Sequence, residues 1–186
     1  MVKQLTSRVN GLAMISSRAD FKTKLMVANG IVLSKLCYLV QLWGGCEGYL
    51  LQSLQVQLNK AARHVTGMSN FTPTRKLMKV CGWLTVKQLV KYHTILMVHK
   101  AVITNKPMYI SSRLKTEYSY STRMSSSGGV RMDETYRYRT DLPMKSFRYR
   151  GAHDYNAIPA DLRKITNLKT FKVELKKWIK TTMNFD

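Results

Sequence analysis

The apolar positions from Phe21 to Trp43, FKTKLMVANGIVLSKLCYLVQLW, form the longest hydrophobic run in the chain. Leu25, Ala28, Val32, Leu36, Leu39 and Trp43 recur at steps of three and four, the helical period. The other faces are hardly more polar, with Val27, Ile31, Tyr38 and Leu42 on one side and Met26, Leu33, Cys37 and Val40 on another. A helix apolar nearly all round belongs in the middle of a bundle. A transmembrane span is the rival reading, because a span needs ~20 apolar residues. Asn29, Lys35 and Gln41 count against it: a central lysine alone costs roughly 2.5–3.5 kcal/mol on insertion scales.

The flanking patterns predict more helices. Val2, Leu5, Val9, Leu12 and Ile15 make one stripe of an amphipathic helix over 2–18. Asp20 is placed to cap the central helix, and Gly44–Gly45 to stop it. A third helix is predicted from about Tyr49 to Thr66, with Leu51, Leu54, Leu58, Ala61, Ala62 and Val65 inward. Lys60, Arg63 and His64 fall on its other side, and Gly67 closes it. Thr72 and Pro73 read as a cap and a first helical residue. The short helix they open carries Leu77 and Met78 and ends at Gly82. Thr85 restarts the chain. Val86, Leu89/Val90, His93, Leu96/Met97 and Lys100/Ala101 then carry a helix to about Ile103, ended by Asn105 and Pro107.

The pattern changes between Thr116 and Arg150, which is poor in Leu, Ile and Val and rich in Tyr, Arg, Ser and Gly. Tyr118/Tyr120, Tyr136/Tyr138 and Phe147/Tyr149 read as brief extended pieces, with Ser125–Gly129 as a loop. A helical tail follows, broken at Pro159. Its last helix has Leu168, Phe171, Leu175 and Trp178 on one face and Lys169, Lys172, Lys176 and Lys180 on others. The expected fold is mainly α: a helical bundle with a small irregular, β-containing Tyr/Arg-rich insertion and a C-terminal helix. The divisions are a three-helix bundle over 1–66, a helical extension over 67–115, the Tyr/Arg-rich segment over 116–150 and the tail over 151–186.

Charge and chemistry narrow the function. With 45% apolar residues the chain is too hydrophobic to be a disordered polymer. Its net charge of +21 self-repels unless an anionic partner screens it, and nucleic acid is the first expectation, ahead of a membrane surface. Cys37, Cys46 and Cys81 are odd in number and form no CxxC pair, which fits reduced, intracellular thiols and a nuclear or cytoplasmic protein. The first residues lack the apolar core of a signal peptide. The one adjacent acidic pair, Asp133-Glu134, sits in a polar, loop-like stretch and reads as solvated rather than as a two-metal site. The histidines show no zinc spacing, and His93, on an apolar stripe, reads as a core histidine. No phosphate loop or nucleophile elbow occurs. The chain reads as a binder that needs no metal or cofactor. Arginines interleave with tyrosines: Arg123 follows Tyr118 and Tyr120, Arg137 and Arg139 bracket Tyr138, and Arg148 and Arg150 bracket Tyr149. Arginine contacts phosphates in bidentate fashion, and aromatic rings stack on unpaired bases for ~1–3 kcal/mol each. The bland alternative is tyrosines packed on the bundle beside solvated arginines.

Five segments in order carry a resemblance. LSKLCYLVQLWGG, LQVQLNKAARHVTG, TPTRKLMKVCGWLTVKQLVKYHTILMVHK, YSYSTR and SFRYRGAHDYNAIPADLRKITNLKTFKVELKKWIK resemble the C-terminal part of non-LTR (LINE-type, Jockey-like) retrotransposon reverse transcriptases. The resemblance spans about Leu5 to Ile179, and Ser146–Ala152 with Tyr155 and Ile158-Pro159 is its most telling piece. In that family the polymerase palm, with its paired aspartates, lies upstream, and no Asp-Asp occurs here. The resemblance therefore implies a non-catalytic piece: a thumb-like bundle over 1–66 that grips template–primer, followed by a post-thumb extension. The expected contacts are Lys60, Arg63 and Arg75 on the bundle side and Arg123, Arg148, Tyr149 and Arg150 on the extension. The expected partners are RNA and/or DNA, an RNA–DNA hybrid first, and an upstream polymerase domain. Two alternatives stand beside this reading: a freestanding nucleic-acid-binding protein derived from such an element, and a docking domain packed on an absent palm.

Overall fold

A computed structural model describes residues 1–16, 18–115, 131–132 and 145–183. These residues are mainly helical, as the periodicity predicts. They form two compact units, one holding Met1–Leu89 with Met183 and the other Val90–Thr182.

The first unit contains α1 (Val2–Ile15), α2 (Phe21–Ala28), a π-helical turn (Asn29–Leu33), α3 (Ser34–Cys37), α4 (Val40–Trp43), α5 (Gly48–Thr66), α6 (Thr74–Cys81) and the start of α7 (Val86–Thr104). Leu5, Val9 and Leu12 of α1 and Leu54, Leu58, Ala61, Ala62 and Val65 of α5 are buried as expected. Leu77, Met78 and Trp83 complete the same core. Asp20 caps α2 by accepting from the Lys22 N–H, and Gly67 and Gly82 end α5 and α6 in the left-handed conformation. The start of α6 differs by one residue. Pro73, with an extended ψ of 144°, is itself the cap, which frees the Thr74 hydroxyl to accept from Asn59.

The central run departs most from expectation. It is broken rather than continuous. A π turn widens it at Asn29–Leu33, where the Ser34 N–H reaches back five residues to the Asn29 carbonyl. It breaks again at Leu39, whose φ of 49° is left-handed. The buried positions are therefore Ala28, Val32, Leu36 and Val40, in strict steps of four, while Leu39 is exposed. A straight α-helix drifts ~40° per four residues, so such a stripe would wind away from the core; a wider π turn takes up part of that drift. The π turn also loosens the backbone ladder, and side chains meet its carbonyls. Arg8 donates to the Ile31 carbonyl at 2.8 Å, and the Ser34 hydroxyl donates to that of Gly30. Trp83 Nε1 donates to Asn29 Oδ1 at 2.8 Å.

Thr85 and Gln88 form a reciprocal capping box at the start of α7: the Gln88 N–H donates to the Thr85 hydroxyl, and the Thr85 N–H to Gln88 Oε1. The second unit continues α7 and adds α8 (Met108–Ser111), a two-residue antiparallel pair of β1 (Leu114–Lys115) with β2 (Arg131–Met132), α9 (Phe147–Asn156), α10 (Ala160–Arg163) and α11 (Leu168–Thr182). The extended reading of Phe147/Tyr149 is overturned. Both lie in α9, because the Ser146 hydroxyl accepts from the Tyr149 N–H and nucleates a helix. The other extended pieces, Tyr118/Tyr120 and Tyr136/Tyr138, the loop at 125–129 and Asp133-Glu134 lie outside the described residues.

The core histidine is His99 rather than His93, which is only half-buried. His99 is fully buried and stacks on Phe171, with centroids 3.4 Å apart and planes 13° apart. Its Nε2 lies 2.9 Å from the Ile165 carbonyl, which only accepts, so Nε2 carries the proton. Nδ1 then accepts from the Tyr155 hydroxyl at 3.2 Å. Burial lowers the pKa of His99 below its ordinary 6.5, and burial followed by the charge of Lys172 lowers that of His93. Acid therefore weakens this unit. The unfolded chain binds more protons than the folded one below about pH 6.5, so stability is full above that pH and falls as pH drops through it. Urea midpoints should be flat between about pH 7 and pH 9 and decline on acidification. Midpoints that rise between pH 7 and pH 5 would contradict this assignment.

Candidate nucleic-acid interface

The structure places the predicted contacts in two groups. Lys60, on α5, and Arg75, in the first turn of α6, are exposed. They flank one polar seam. Gln55 Nε2 donates to Asn59 Oδ1 at 2.8 Å, and Asn59 Nδ2 donates to Thr74 Oγ1 at 2.9 Å. Lys60 follows Asn59 in sequence and Arg75 follows Thr74, so the seam holds their backbones side by side. Arg63 lies one turn beyond Lys60 but is half-buried. Its Nη2 donates to the Asn70 carbonyl at 3.0 Å, which pins the connection between α5 and α6. Arg63 is thus at least partly a structural residue.

The second group lies on α9. Tyr149 and Arg150 are half-buried. The Tyr149 ring lies nearly parallel to that of His153, 6.3 Å between centroids. Arg123 lies outside the described residues, as does the side chain of Arg148, whose backbone belongs to α9.

Several cations escaped the sequence reading. Lys76 and Lys79 on α6 and Lys87 on α7 are exposed on the same unit as Lys60 and Arg75. The signal that finds them is an absence: no Asp or Glu occurs between Glu47 and Glu117. Helices α5, α6 and α7 therefore carry positive charge without any negative charge of their own. A cavity of about 160 Å³ with a mixed lining lies beside the seam, bounded by Leu51, Val86, Gln55, Asn59, Thr74 and Lys87 among others. His64, at the end of α5, has its pKa lowered by burial and is neutral at pH 7.

Among the described residues no cluster of His, Cys, Asp and Glu is placed to hold a metal ion. None of their helices is long and apolar enough to cross a membrane. Cys81 is buried and its thiol is pushed up to about 11 by that burial, so it is no nucleophile at neutral pH. No family model, curated protein or solved structure matches this chain.

Proposed function

We propose that this chain is the non-catalytic C-terminal part of a non-LTR retrotransposon reverse transcriptase, and that it binds template–primer nucleic acid through a basic helical surface. The observation that carries the binding reading is the all-positive character of α5, α6 and α7, with Lys60, Arg75, Lys76 and Lys79 exposed on α5 and α6. A face of this kind suits the sugar–phosphate backbone, which it would hold in register without reading sequence. An RNA–DNA hybrid is the favoured ligand, since a near A-form duplex offers a wide, shallow minor groove flanked by phosphates. The retrotransposon part of the reading rests on the five ordered segments.

The test is fluorescence anisotropy of a labelled RNA–DNA hybrid titrated with the chain at several salt concentrations. Lys60→Gln and Arg75→Gln should each raise Kd and make the plot of log affinity against log salt shallower by about 1. Wild-type slopes in both variants would remove these residues from the interface. Polymerase activity from the chain alone would overturn the non-catalytic reading, and an upstream reading frame without a palm would favour a freestanding protein.

One observation favours the docking alternative. Tyr38 and Leu42 are 64% and 72% exposed and, with Leu39 and Trp43, line a groove of about 280 Å³. An absent palm would have a place there. If it does, the isolated chain binds an apolar dye, and Leu42→Lys reduces that binding.

A further inference from the structure

We infer that α11 is a second phosphate-binding surface, formed by a row of four lysines that holds the backbone of one nucleic-acid strand. The inference rests on the nucleic-acid reading above and adds to it a site in the second unit. Lys169, Lys172, Lys176 and Lys180 recur at steps of three, four and four, all exposed. At ~100° per residue they fall within about 80° of one another on the helix surface, and they span roughly 16 Å along its axis. Successive lysines are thus about 5–6 Å apart, close to the spacing of successive phosphates along a strand.

Two features separate this row from an ordinary solvated face. The first is its surroundings. The charge of Lys172 reaches His93 on α7, while Lys91 of α7 lies over the Trp178 ring at 5.6 Å, on the side of α11 away from the row. The one carboxylate on α11, Glu174, pairs with Lys177 at 2.7 Å, and both lie off the row. Lys176 also acts on Lys180, which burial and this like charge together make a weaker base. Like charges crowded along one helix are relieved by an anion of matching spacing.

The second feature is what the helix lacks. Its apolar face is used up, with Phe171, Leu175 and Ile179 all fully buried. A helix that lies in a membrane surface needs that face free. An embedded lipid contact is therefore disfavoured, and a polyphosphate chain in water is the partner inferred.

The full chain with Lys169, Lys172, Lys176 and Lys180 all replaced by Gln tests this. Glutamine keeps helix propensity, and far-UV circular dichroism checks the fold. With a labelled RNA–DNA hybrid as probe, the slope of log affinity against log salt should become shallower by about 0.9 for each lysine that holds a phosphate, roughly 3–4 in all. The corresponding four-arginine variant should keep the wild-type slope. An unchanged slope in the glutamine variant, alongside a shallower one in Lys60→Gln or Arg75→Gln, would overturn this site and leave the binding function standing. Absence of binding by the wild-type chain would overturn both. If the glutamine variant instead loses binding to phosphatidylserine vesicles while its nucleic-acid slope is unchanged, the row is a lipid contact and the inference fails.

Discussion

Trp83→Ala should destabilise the first unit by about 3–5 kcal/mol, the range for removing a large buried aromatic side chain. Trp83 is 5% exposed and packs in the cluster that joins α1, α5 and α6. Its backbone N–H also closes the turn after α6 by donating to the Met78 carbonyl at 2.9 Å. The indole N–H has a separate job, holding Asn29 at the mouth of the π turn. Trp83→Phe isolates that job. It keeps most of the buried ring and removes one hydrogen bond to an exposed amide, so its cost should be only about 0.5–1.5 kcal/mol. Urea unfolding followed by far-UV circular dichroism measures both. A Trp83→Phe cost equal to that of Trp83→Ala would mean that the Asn29 contact, rather than burial, dominates. An Asn29→Ala partner in a double-mutant cycle would then show it directly.

The same residues mark where sequence patterning stopped short. The buried set of α1 and α5 was legible because those helices are regular and opposed by polar faces. The central run was legible as a helical core element but not in its phase. With apolar residues on every side, a straight 3.6-residue period fits Leu39 and Trp43 as well as Val40. What selects Val40 is the π turn together with the left-handed break at Leu39, and the supports of the turn are remote: Arg8 on α1 and Trp83 after α6. Asn29 stood out as a polar residue in an apolar run, but its partner lies 54 residues away. On α7 the stripe continues after Val90 through Thr94, Ile95, Val98, His99 and Ala101, a step later than a regular reading through His93 places it. Periodicity alone does not distinguish two adjacent stripes on so apolar a helix.

The surroundings of the candidate contacts were legible only in part. The exposure of Lys60 was legible because it falls opposite a core stripe, and that of Arg75 because it stands at a helix start. Arg63 shares their charge, yet its hydrogen bond to Asn70 is a tertiary contact that a helical wheel does not show. The interleaved arginines and tyrosines of 146–150 suggested strands, because alternation is a strand signal. The Ser146 cap outweighs that signal and makes the segment a helix. The lysines of α11 were visible as filler on an amphipathic helix; their common side, within about 80° of arc, follows from their spacing on the helix Leu168–Thr182.

Phe171→Ala should cost the second unit about 3–5 kcal/mol as well, and through a different route. Phe171 is fully buried on α11 and lies flat against the His99 imidazole on α7. Removing the ring leaves a void and exposes one face of a histidine whose neutrality depends on a dry site. The consequence is a change in acid sensitivity in addition to a loss of stability. Water reaching His99 lets the folded state accept a proton more readily, so its pKa should move back toward 6.5 and the stability lost below that pH should shrink. Tyr155→Phe separates the two effects. It preserves the ring packing and removes only the donor to Nδ1, leaving a buried acceptor unpaired at a cost of about 1–3 kcal/mol. Stability measured against pH for both variants decides the matter. Phe171→Ala should give a lower and flatter curve, and Tyr155→Phe a lower curve that still falls below pH 6.5. If Phe171→Ala keeps the full acid slope, the low affinity of His99 for its proton does not come from the dry stack between α7 and α11.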